Sequence, residues 1–207
     1  MKHQLKDYAE IMSGLTLGKV DLEGDHSQSD GLYLIRPNDL ARDRLLYQEQ
    51  LALMEPIVVS ESVKKRIKDK HYLQPNDIII TARSTSYHVA MIKQLPPGMK
   101  IIMNNNTICV RPSKLVAHPE AILVYLSGNW FRENVINVEF PKMLTINVAW
   151  VKNLDFTLPD HDFCARFKDH TLETRDIQRQ ASKLSECAFA RLEARLFAQF
   201  AAENDHE

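Results

Sequence analysis

Arg83, Ser84, Thr85, Ser86, Tyr87 and His88 stand in an unbroken row between two apolar runs, 78–80 and 89–92. A guanidinium fork, three hydroxyls, a phenol and an imidazole at one chain reversal can donate and accept many hydrogen bonds. Such a set serves either catalysis or recognition. Catalytic signatures are missing elsewhere: no glycine-rich loop follows a strand-like run, and GxSxG, CxxC and HExxH are absent. Eight histidines are scattered without ligand spacing, so no metal and no cofactor are expected. Asp160 and Asp162 in "PDHDFCARFKDH" lie near Lys168, as in a metal-dependent nuclease, but their place at a helix start is explained by capping. A chain that is not an enzyme is expected.

Charge points the same way. The 207 residues carry a net charge of −1, yet residues 60–114 hold ten Lys and Arg against three acids, a local +7. A concentrated basic block in a near-neutral chain is either a one-sided electrostatic footprint or a solvated face. Lys64, Lys65, Arg66 and Lys68 cluster within it, with Lys93 further on. No apolar run is long enough for a membrane span, and "MKHQLKDYAEIM" lacks the apolar core of a secretory leader. Three widely spaced cysteines suit a reducing compartment, so a cytoplasmic protein without membrane attachment is expected.

The elements that must position these groups are mostly short strands. "YAEIM", "LYLIRPNDL", "EPIVVS", "NDIIITA", "YHVAMI", "KIIMNN" and "TICVRP" are rich in strand-forming residues and bounded by Pro, Gly, Asn or Ser. "LPPGM" reads as a turn between two of them. "SESVKKRIKDKHYL" predicts a helix capped by Ser60, with Val63, Ile67 and Tyr72 on one face. "HPEAILVYLSGNWF" predicts another, with Ile122, Leu123, Leu126 and Trp130 as core positions. From Asp160 onward Pro and Gly disappear, and apolar residues recur at threes and fours through Ile177, Ala181, Leu184, Ala188, Leu192, Leu196 and Phe200. A helix of about forty residues, on the order of 60 Å, cannot bury that stripe alone and asks for a partner helix. The reading is therefore α+β: a β-rich domain over 1–159 with short helices, then one long helix over 160–207.

The order of pieces resembles the target recognition domain of type I restriction–modification specificity subunits. "LKDYAEIMSGLT" is similar to that domain's opening strand, and "LYLIRPNDL" to its strand leading into Arg-x-x-Asp. "YLQPNDIIITARST" resembles its turn, strand and polar loop, and "MLTINVAWVKNLDFTLPD" its closing element, followed by the spacer helix. Asn76 stands where the family usually has Gly, and Asn104, Asn105 and Asn106 where it has Asn-Gln. The resemblance covers essentially the whole chain and implies a half-length, non-catalytic DNA-reading subunit, because full specificity subunits carry two domains and two helices. It implies double-stranded DNA, a DNA methyltransferase subunit and a possible restriction/translocase subunit as partners, and a homodimer formed through the terminal helix.

On that reading the row from Arg83 to His88 faces the major groove. Arg fits a guanine edge, Asn fits adenine, and hydroxyls fit several bases. Thr145 and Asn147 approach the same face, while the lysines and Arg66 serve phosphates. Other readings stay open: Arg83 could cap a helix or pair with Asp77, the three asparagines could be a turn, and the lysines a solvated face. A protein–protein adaptor without DNA readout is the alternative for the whole chain.

Overall fold

The computed structural model describes residues 3–159 apart from 19, 23–30, 42–44 and 115. The expected terminal helix with its seven dimerisation positions, and the pair Asp160 and Asp162, lie outside the described residues.

In chain order the strands and helices are β1 (Ala9–Ser13), β2 (Leu32–Ile35), β3 (Leu45–Leu46), α1 (Gln48–Leu51), β4 (Pro56–Ile57), α2 (Glu61–Arg66), β5 (Ile78–Thr81), β6 (Arg83–Ser84), β7 (Val89–Ile92), β8 (Lys100–Met103), β9 (Thr107–Pro112), α3 (Glu120–Ser127), α4 (Asn129–Phe131), a π-helical turn (Arg132–Ile136), α5 (Asn137–Glu139), β10 (Leu144–Thr145) and α6 (Val148–Lys152). The fold is mixed α+β. Its main sheet has the order β1-β9-β5-β7-β3, a second sheet the order β4-β2-β8, and β10 pairs with β6. Within the main sheet β9 is antiparallel to β1 and β5, β7 is antiparallel to β5, and β3 joins β7 in parallel.

Side chains on a strand alternate between faces, and the apolar runs of this chain serve two cores at once. Ile78 and Ile80, Val89 and Met91, and Ile108 and Val110 enter one cluster. Their neighbours Ile79, Ala90, Ile92 and Cys109 enter the other. That is why β5, β7 and β9 read as continuous apolar stretches and not as alternating ones. Full burial of an isoleucine is worth about 1.5–3 kcal/mol, and β5 buries three in succession, Ile78, Ile79 and Ile80. The first core is closed by Leu123 and Leu126 of α3, Phe131 and Val151. The second is closed by Ile35, Leu40, Leu51 and Leu73. Val63 of α2 packs on a third group with Leu32, Leu34 and Ile102.

The same local device closes several turns: a side chain three residues ahead accepts a backbone N–H. Asp7 takes Gln4 (2.8 Å), Asp21 takes Gly18 (2.8 Å), Asp39 takes Arg36 (2.7 Å) and Asp77 takes Gln74 (2.8 Å). This is the physical content of Arg36-x-x-Asp39. Between Gln74 and Asp77 sits Asn76 with φ of +73°, a left-handed conformation that Gly or Asn tolerates best. Asn76 therefore makes this left-handed turn without a glycine. Gly98, with φ of +75°, completes the "LPPGM" turn, where the Met99 amide donates to Pro96.

Two expectations are corrected. The helix from Ser60 ends at Arg66, and Ile67 and Tyr72 are extended and only half-buried. Trp130 is not core: Gly128 leaves the helical region at ψ 148°, breaking the face that Leu123 and Leu126 share, and Trp130 is 66% exposed.

Candidate nucleic-acid interface

The register places the candidate loops at one end of the sheets. Thr81 at the end of β5 faces Thr107 at the start of β9, and Ser13 at the end of β1 faces Ile108. Ile35 at the end of β2 faces Met103 at the end of β8, just before the asparagine turn.

Thr81, fully buried, holds the neck of the polar loop. Its hydroxyl donates to the Ser86 carbonyl (3.1 Å) and accepts the His88 amide (3.0 Å), while its own amide donates to the His88 carbonyl (3.0 Å). Three segments then meet at Ala82 and Arg83. Their amides both donate to the Asn106 carbonyl (2.7 and 3.2 Å), and the Ala82 carbonyl accepts the Ile146 amide (2.9 Å). Arg83 stands opposite Thr145 and Ser84 opposite Leu144. Gly14 seats the asparagine turn: a Cβ there would lie 2.1 Å from the Asn104 carbonyl oxygen. The Asn105 amide also donates to the Leu15 carbonyl (2.9 Å).

The candidate residues meet different fates at this rim. Arg83, Thr85, Ser86, Thr145 and Asn147 are exposed, and Ser84, His88 and Asn104 to Asn106 are half-buried. The three asparagines do form a turn, with Asn104 Oδ1 accepting the Asn106 amide (3.2 Å). That turn is part of the rim, so the two readings of the sequence are compatible. Asn147 spends its Oδ1 capping α6 through the Trp150 amide (2.9 Å). Arg83 does not pair with Asp77. Arg111 takes that carboxylate with two 2.8 Å bonds and also donates to the Tyr72 carbonyl (2.8 Å).

Tyr87 and Lys93 are not available to a duplex. Tyr87 turns inward, 8% exposed, and its hydroxyl donates to the Leu126 carbonyl (3.0 Å) beside Phe131. Burial pushes its pKa far above the phenol range. Lys93 lies at the opposite end of the sheet, beyond Ile92, where it pairs with the buried Glu120 at 2.6 Å. The basic block is thus not one face. Arg111 and Lys93 are neutralised away from the rim, and Lys64 is paired with Glu61 (3.0 Å). Lys65 and Lys68 are exposed. Arg66 donates to the Thr16 carbonyl (2.9 Å), one residue beyond the Leu15 that braces the asparagine turn.

His88 has its pKa lowered, first by burial and then by the charge of Arg132, so it is neutral at pH 7. Arg132 itself is exposed, and so is Arg36, which follows Ile35 at the same rim. Neither arginine is among the contacts expected from the sequence. The strand register of β2 with β8 was the missing signal for Arg36, and the helical turn after Phe131 for Arg132. Among the described residues, none of Arg36, Arg83 and Arg132 has an ion-pair partner, and no group of three or more His, Cys, Asp or Glu is placed to hold a metal.

No family model matches the chain, and no curated protein matches it. Solved structures do. A chain of a type I restriction–modification system, solved for its assembly and conformational transition, is 15% identical over 93% of this chain and 43% of its own, with a TM-score of 0.57. The HsdS subunit of Thermoanaerobacter tengcongensis is 13% identical over 90% of this chain and 39% of its own, with a TM-score of 0.54. The fold is that of type I specificity subunits. It recurs inside the type IIG restriction endonuclease BpuSI, 11% identical over 83% of this chain and 26% of that one, with a TM-score of 0.55. This chain spans less than half the length of each specificity-subunit match. None of the described helices is long and apolar enough to cross a membrane.

Proposed function

We propose that this chain is a non-catalytic DNA sequence-specificity subunit of a type I-like restriction–modification system, acting in the cytoplasm and reading a half-site of double-stranded DNA. The observation that carries the reading is the meeting of three polar segments at Ala82 and Arg83, on the end of a doubly buried sheet of the specificity-subunit fold. A rigid support matters because a reader held loosely discriminates poorly. Arg83 would take a guanine edge, and Asn105 and Asn106 adenine edges, with Ser84, Thr85, Ser86 and Thr145 around them. Lys65 and Lys68 would add phosphate contacts that position the chain without specifying sequence. The methyltransferase subunit would supply the chemistry. Two copies would pair through Ile177, Ala181, Leu184, Ala188, Leu192, Leu196 and Phe200, so that a symmetric dimer reads inverted half-sites.

The test is duplex binding across a salt series. The logarithm of affinity should fall linearly with the logarithm of salt, and one duplex should be preferred. Equal binding to every duplex at every salt concentration would refute the proposal. A protein–protein adaptor is the second reading, favoured by the exposed Trp130, Val138 (69%) and Met143 (56%). Partners retained in a pull-down, with no protection of DNA in a footprint, would favour it.

A further inference from the structure

The rim is longer than the reading loop that occupies its middle. From Arg36 it passes to Asn104 across the β2–β8 pair, through Asn106 to Ala82, and from Thr81 to His88. Three of these steps cross hydrogen-bonded neighbour strands, each about 4.8 Å apart, so they carry the rim roughly 14 Å besides the asparagine turn. The major groove is only about 12 Å wide, so a rim whose centre enters it has its ends over the two sugar–phosphate backbones.

An exposed arginine lies at each end, Arg36 directly after β2 and Arg132 near enough to His88 for its charge to act on that imidazole. Arg36 is exposed, and its backbone is fixed by the Asp39 carboxylate on its amide (2.7 Å). That bond also places one negative charge beside it. Arg132 begins the π-helical turn, anchored by its amide on the Gly128 carbonyl (3.1 Å) and by the neighbouring Phe131 packed on Tyr87 at a centroid distance of 6.1 Å. The Tyr87 hydroxyl ties the loop to α3 through Leu126 (3.0 Å), so loop and helical segment are held as one piece.

The geometry points to Arg36 and Arg132 as a pair of phosphate clamps, one for each DNA strand, flanking the base-reading centre around Arg83 and the asparagine turn. This rests on the DNA-reading proposal and adds to it a division of labour. The outer arginines supply affinity without sequence preference, and the inner one supplies preference. A guanidinium suits the outer role because it grips two phosphate oxygens at once.

The experiment titrates the full chain with its preferred duplex and with a scrambled duplex, over a salt series, for wild type, R36Q, R132Q, the double variant, the charge-keeping R36K and R132K, and R83Q. Each glutamine variant should make the log–log salt slope shallower by about 0.9, the effect of one lost phosphate contact on B-DNA. It should weaken both duplexes by the same factor, and the lysine variants should keep the slope. R83Q should instead change the ratio between the duplexes. A folded double variant, with a wild-type melting curve and an unchanged slope, would overturn the clamps while leaving the DNA-reading proposal intact. So would lysine variants that lose as much slope as the glutamines. A wild-type chain with no salt-dependent duplex binding would instead bring down the reading on which the clamps rest.

Discussion

Arg83 and Tyr87 are four residues apart in one polar row, yet one faces solvent and the other the core. Polarity alone made them equal candidates in the sequence. What separates them is a carbonyl on α3, a long-range partner that no local pattern reveals. Tyr87→Phe should cost about 1–3 kcal/mol, because the Leu126 carbonyl is left unpaired in a buried site. It should lower the thermal midpoint and, by loosening the loop that this hydroxyl ties to α3, narrow the preference between duplexes. His88 carries a pH prediction. Its pKa in the folded chain lies below 6.5, as does that of His71, lowered by burial and then by Lys70 and Lys68. As pH falls through 6.5 the unfolded chain takes up these protons first. The stability their neutral forms contribute is therefore complete above 6.5 and lost as pH falls through the lowered values. Melting at pH 7.5 and 5.5 should show the drop, smaller in His88→Gln. At pH 7.5 that variant should keep the wild-type salt slope, since His88 is uncharged there.

The elements most legible in the sequence were those with runs of four buried residues: all of β5 and β7, and Thr107 to Val110 of β9, announce themselves as apolar stretches. Less legible were β3, β6, β10 and α6, each of two to five residues, whose existence depends on a neighbour and not on local preference. The pairing of β6 with β10 is what brings Thr145 to Arg83, a neighbourhood that the resemblance implied and that no local pattern shows. Two substitutions test the supports. Gly14→Ala should push the asparagine turn away, costing about 1–3 kcal/mol as overpacking does. It should also weaken sequence preference although Gly14 itself has no side chain to offer a base. Asp77→Ala leaves the Arg111 guanidinium without its partner at the far end of the sheet. Breaking such a pair costs about 3–5 kcal/mol, measurable as a lower denaturant midpoint. An unchanged midpoint would mean that the carboxylate, 1% exposed, is not what fixes β9 to the β5 turn.

At the scale of the molecule, the α+β class and the strand order's two-sided core follow from burial, and the fold is one also seen in specificity subunits. The basic block was the misleading signal. Counted along the chain it is +7, but in space Lys93 and Arg111 are spent on Glu120 and Asp77, and beside Arg83 the exposed Arg36 and Arg132 lie outside the block. Charge counted in sequence cannot tell a footprint from a set of internal pairs. If the chain pairs through residues 160–207, truncation after Pro159 should convert a dimer to a monomer in light scattering, and an unchanged mass would refute that pairing. The central claim, that the rim around Ala82 and Arg83 reads DNA sequence, is tested most directly by selection from random duplexes with the wild-type chain and with Arg83→Ala. The account predicts that wild type enriches one motif and that the variant enriches the same motif with a single G·C position relaxed. No enriched motif at low salt, or an identical motif from both chains, would contradict it.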